Sequence, residues 1–137
     1  MAQTQEQTQQ NYIMQLSILE QQIQQLEQQL QIILQQISEL EKLKINLQDL
    51  EKGKEDEIFA DVGNRIFAKA KILEKDLLVD VGSKTLVKKT PREVQKIIEK
   101  QIAELEKIRE QTENEFQKLK EQENMLVLEA SKKMGKK

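Results

Sequence analysis

Residues 57–93 read EIFADVGNRIFAKAKILEKDLLVDVGSKTLVKKTPRE, and this stretch decides the fold. Glu57 to Val62 runs into Gly63-Asn64, after which Ile66, Ala68, Ala70 and Ile72 alternate with Phe67, Lys69 and Lys71. A period of two is the strand period, and it puts an apolar row on one face and a basic row on the other. A second pair follows: Leu77 to Val81, the turn Gly82-Ser83-Lys84, then Thr85 to Lys88. The stretch closes on Thr90-Pro91-Arg92-Glu93, a helix start with Thr at the N-cap, Pro at the first helical position and Glu three residues after the cap.

On either side, residues 11–51 and 92–134 contain neither glycine nor proline. The first flank holds apolar residues at alternating steps of four and three: Tyr12, Leu16, Leu19, Ile23, Leu26, Leu30, Ile33, Ile37 and Leu40, lapsing at Lys44 and resuming at Leu47. That stripe is the seam of a left-handed coiled coil. Glutamine fills most remaining positions and is a fair helix former. The second flank continues the pattern through Ile98, Ile102, Leu105, Arg109, Thr112, Phe116, Leu119, Glu123, Leu126 and Ala130, with three polar interruptions. Each flank offers roughly 57 Å of helix at 1.5 Å per residue, so the two can lie antiparallel with paired residue numbers totalling about 141. The expected organisation is a helix over 1–51, two hairpins over 52–89, and a helix with a basic tail over 90–137, together one structural domain. The fold class is mainly α.

Two hairpins are too small to stand alone, and their open edges invite further strands. An obligate oligomer joined through the hairpins is the expected resolution. Ile58, Phe59, Ile66, Phe67, Leu78 and Leu86 are the strand residues expected to make that contact.

Composition excludes much else. The 137 residues include no Cys, His or Trp. Thiolate and imidazole chemistry, disulfides and zinc sites built on N and S ligands are therefore out of reach. There is no GxxxxGK[ST] loop and no paired catalytic constellation, so no enzyme, cofactor or metal is expected. The net charge of −2 gives no reason to expect nucleic acid as partner, and no apolar run approaches a membrane span. Residues 1–10 lack the pattern of a signal peptide, which makes a soluble, cytoplasmic protein the expectation. The basic tail Lys132-Lys133-Met134-Gly135-Lys136-Lys137 is read as a solubilising end, with contact to nucleic acid or a chaperonin as alternatives.

The layout resembles the prefoldin alpha class. Residues 62–72 look like its first hairpin, and residues 78–90 look like its second, ending where the C-terminal helix begins. The beta class carries one hairpin, so the count of two points to the alpha class. The resemblance implies an ATP-independent chaperone subunit. In that family two alpha and four beta subunits form a double β-barrel from their hairpins, with six coiled-coil arms that hold unfolded polypeptides and pass them to a group II chaperonin. Apolar residues off the seam support such a role independently: Met14 and Ile18 on the first helix, Met125, Val127 and Leu128 on the second. With their neighbours Tyr12, Ile13 and Leu126 they form the candidate client-binding set. Local packing of helix ends and dimerisation of the tips are the alternatives for these residues. Ile32, Leu34 and Ile108 are also off the seam and have no assigned role. The competing function is a homo-oligomeric scaffold or filament protein that holds no client.

Overall fold

The computed structural model describes residues 2–54 and 56–135, with side chains described for 6–54 and 56–133. Helix α1 covers Ala2–Lys52, and four strands follow: β1 (Glu57–Gly63), β2 (Ile66–Lys71), β3 (Leu77–Asp80) and β4 (Leu86–Lys89). Helix α2 then covers Pro91–Gly135. Strands β1 and β2 form one antiparallel two-stranded sheet and β3 and β4 another. The single chain contains no barrel among its described residues; a barrel requires several chains.

The chain divides into two compact units, Met1–Gln36 with Leu105–Lys137, and Ile37–Glu104. In both, the seam residues are the ones withdrawn from solvent. Tyr12, Ile23, Ile33 and the polar Thr112 are buried in the first unit, Ile37, Leu47 and Ile98 in the second, and the remaining seam positions are half-buried. No described large side chain falls below 2% exposure. Two helices offer one stripe each, and a single line of contact cannot enclose a side chain on all sides. In the second unit, Lys44 pairs with Glu99 at 3.1 Å and Glu51 with Arg92 at 3.7 Å. As positions rise on α1 they fall on α2, so the helices are antiparallel. These pairs total 143, two residues from the expected register.

Where the chain leaves α1, the Gly53 amide donates to the Asp49 carbonyl at 2.8 Å. A Cβ at position 53 would lie 2.8 Å from that same oxygen, which explains why a glycine ends the helix. Lys75, from the linker between the hairpins, donates its ammonium to the carbonyls of Glu51 (3.1 Å) and Gly53 (2.9 Å). A cation there satisfies carbonyls that the helix leaves unpaired and complements its dipole. At the start of α2, the Thr90 hydroxyl oxygen accepts from the Glu93 amide at 3.2 Å and donates to the Glu93 carboxylate at 3.3 Å, the N-cap read from sequence. Pro91 is buried beside it. The Glu51 carboxylate accepts from the Gln95 amide nitrogen at 2.9 Å, so one residue ties the end of α1 to the start of α2.

Candidate functional site

Both hairpins turn by the same device. Asp61 accepts the Gly63 amide at 2.8 Å, Gly63 has a positive φ, and Asn64 and Arg65 follow at φ 50° and 61°. Asp80 accepts the Gly82 amide at 2.9 Å, Gly82 has a positive φ, and Ser83 and Lys84 follow at 53° and 60°. Two consecutive left-handed residues are the pattern of a type I′ turn, whose twist matches that of the flanking strands. The recurrence of Asp-Val-Gly at 61–63 and 80–82, each followed by a small polar and then a basic residue, was a readable signal for this shared construction.

The register fixes which side chains share a face. Ile58 stands opposite Ala70 and Ala60 opposite Ala68, so these and Ile66 form an apolar face. Phe59 stands opposite Lys69, Asp61 opposite Phe67, and Glu57 opposite Lys71. The alternation along β2 is therefore as expected, with Phe67 in the basic row, and the register adds Phe59 of β1 to that same face. A Glu57–Lys69 ion pair at 3.3 Å flanks Phe59, which is 71% exposed. The first hairpin thus presents apolar groups on both faces. In the second, Leu78 and Leu86 share a face with Lys88 and Asp80 and are exposed, while Leu77 and Val79 on the other face are half-buried. All six residues expected to make the assembly contact are exposed in the single chain. The linker side chain Glu74 pairs with Lys88 of β4 and, chiefly through that hydrogen bond, holds the ammonium pKa above its usual 10.5.

The other candidate set belongs to the first unit. Ile13, Met14 and Ile18 on α1 are exposed, as are Met125, Val127 and Leu128 on α2. Met14 and Ile18 are four apart, and Met125 and Leu128 three apart, so each pair forms a continuous apolar strip on its helix. Tyr12 and Leu126 differ. Tyr12 is buried in the seam with the Lys133 ammonium 5.8 Å from its ring centroid, and Leu126 is half-buried in the seam. These two support the helix pair instead of facing outward. Ile32, Leu34 and Ile108 are exposed too. Arg109, at a seam position, is bonded on its own helix to Glu106 and Glu113, which raise its pKa and keep the guanidinium charged. The side chains of Met134, Lys136 and Lys137, part of the basic tail, lie outside the described residues.

Among the described residues no cluster of acidic side chains could hold a metal ion, and no helix is long and apolar enough to cross a membrane. What the chain offers is surface: exposed apolar groups on paired hairpins and on a helix pair. That defines an assembling coiled-coil subunit that works by contact. The prefoldin subunit family model matches residues 19–136, and the chain belongs to the prefoldin family, a family of non-enzymatic chaperone subunits that assemble with one another. No individually curated protein sequence matches the chain. Among solved structures, a chain of the filamentous PFD from Methanocaldococcus jannaschii is similar, with 23% identity and a TM-score of 0.48, over 91% of this chain and 99% of that one.

Proposed function

We propose that the chain is an alpha-class prefoldin subunit that holds unfolded polypeptides without ATP. The observation that carries this is the set of exposed apolar side chains, Ile13, Met14, Ile18, Met125, Val127 and Leu128, standing off an otherwise regular seam. Methionine's flexible thioether suits irregular apolar partners. The two hairpins support the alpha class, with two such subunits joining four beta-class subunits in the cytoplasm and delivering clients to a group II chaperonin. Partial burial of five such side chains at roughly 1 kcal/mol each gives about 5 kcal/mol, a Kd near 0.2 mM. One helix pair alone releases its client quickly. Several gripping one chain hold it by effective concentration, which suits a chaperone that must let go without a nucleotide cycle.

The test is suppression of aggregation of a chemically denatured protein by the assembled complex. Changing Met14, Ile18, Met125, Val127 and Leu128 to Ser should abolish suppression while native mass shows the same assembly. Control changes at Gln22 and Gln29 should do little. Undiminished suppression by the five-fold variant rules out these residues as the client site. A second reading, a scaffold or filament without clients, draws on the open edges of both hairpins. It predicts open-ended assembly that grows with concentration, where the chaperone reading predicts a closed complex with beta-class subunits.

A further inference from the structure

The five-residue linker between β2 and β3, residues 72–76, is pinned at three points to three different parts of the chain. The Ile72 amide donates to the Asp56 carbonyl at 2.6 Å, just ahead of β1. Glu74 pairs with Lys88 of β4. Lys75 reaches back 24 residues to the carbonyl of Glu51 and 22 to that of Gly53. Leu73, between these anchors, is 93% exposed and adds no apolar anchor, while Ile72 at the start of the linker is half-buried. Among the described residues, Lys75 is the linker side chain that hydrogen-bonds to the end of a helix.

We propose that Lys75 is a positioning residue for assembly: a charge-dependent latch that fixes the linker, and with it the spacing of the two hairpins, on the C-terminal end of α1. This deepens the assembly reading above and rests on it. The chemistry is specific to a cation with several donors. One ammonium serves two carbonyls that lie beyond the last intrahelical hydrogen bonds, at the negative end of the helix dipole. A neutral side chain of the same length leaves both carbonyls to water and frees the linker. The neighbouring ties do not substitute for it. The Glu51 side chain faces Arg92 and Gln95 of α2, so it holds the two helices together without touching the linker. Because Lys75 uses the Glu51 main-chain oxygen, replacing the Glu51 side chain leaves the latch its acceptor. The two functions of position 51 are therefore separable by mutation.

Amide hydrogen exchange on the full chain reads the latch, and native mass reads assembly. In Lys75→Met, exchange of the linker amides 73–76 and of Gly53 and Lys54 should rise about five-fold, the scale of a lost helix-end charge contact, and Lys75→Arg should restore most of the protection. Glu51→Ala should raise exchange in the first turn of α2 and leave the linker unchanged. The concentration at which the chain assembles should rise several-fold in Lys75→Met and return in Lys75→Arg. Unchanged linker exchange in Lys75→Met overturns the latch. Faster linker exchange with unaltered assembly overturns its positioning role. A wild-type chain that stays monomeric even with a beta-class subunit sinks the hairpin-assembly reading, while the exchange comparison still decides whether Lys75 holds the linker.

Discussion

The ammonium of Lys133 lies over the ring of Tyr12, 5.8 Å from its centroid, joining residues near the two ends of the sequence. Tyr12 is the first member of the α1 seam and is buried, so its ring serves as a staple for the helix ends. Lys133→Gln should loosen this staple by about 0.5 kcal/mol, seen as faster amide exchange over residues 6–12 and 127–133. Tyr12→Ala should fray the same stretch further. Neither change should move the exchange of residues 37–104.

The first hairpin exposes apolar groups on opposite faces, and separate substitutions tell which face meets another subunit. Ile66→Asp charges the face shared with Ile58 and Ala60, while Phe67→Asp charges the face shared with Phe59. If one face is the interface, a single variant should yield smaller species by native mass and the other should assemble normally. Dissociation by both means that the hairpin is covered on two sides. Helical circular dichroism should persist in either variant, because the a/d seam is untouched.

Arg65 and Lys84 occupy left-handed backbone at φ 61° and 60°, where a Cβ crowds the following carbonyl. Glycine pays no such steric cost. Arg65→Gly and Lys84→Gly should each stabilise their hairpin by about 1 kcal/mol, read as slower exchange of β1–β2 and β3–β4 amides respectively. An unchanged or weakened hairpin would mean that the basic side chain contributes more than the turn strain costs.

Arg109 interrupts the α2 seam, with ion pairs on its own helix at 2.6 Å to Glu106 and 2.9 Å to Glu113. Partly exposed pairs of this kind are worth about 0.3–0.5 kcal/mol each. Burying a leucine there contributes roughly 1.5–2 kcal/mol. Arg109→Leu should therefore raise the thermal midpoint by a few degrees. A lower midpoint would show that the charge answers a need of the facing helix that apolar packing does not.

How much of this was legible in the sequence varies with the range of the interaction. The seams were readable because a 4–3 spacing has one geometric solution, and the residues from Tyr12 to Leu47 that fit it are the ones withdrawn from solvent. The Thr90 cap was readable because all its parts lie within four residues. The face of Phe67 followed from alternation along its own strand, but that of Phe59 did not, since alternation along one strand leaves the partner's register open. Tyr12 and Leu126 were legible too: the 4–3 spacing puts both in the seam, and it was their place in the apolar runs 12–14 and 125–128 that drew them into the client-binding set. Lys75 left no local trace at all, because its partners are more than 20 residues away.

The antiparallel pairing also has a consequence for folding. Contacts between the helices span 41 residues at Glu51–Arg92, 55 at Lys44–Glu99 and 121 at Tyr12–Lys133. Loop-closure entropy grows with that span, whereas each hairpin needs only its own turn, whose Asp side chain, glycine and left-handed pair are all local. The nucleus should therefore lie at the hairpins and the Glu51 junction, with the helices pairing later as the spans lengthen. A φ-value series should fall from about 0.5–0.8 near Arg92 and Ile98 towards zero at Tyr12 and Leu126. A gradient in the opposite sense would place the nucleus in the seam itself. With the expected sense, substitutions near Tyr12 should speed unfolding and leave the rate of folding almost untouched.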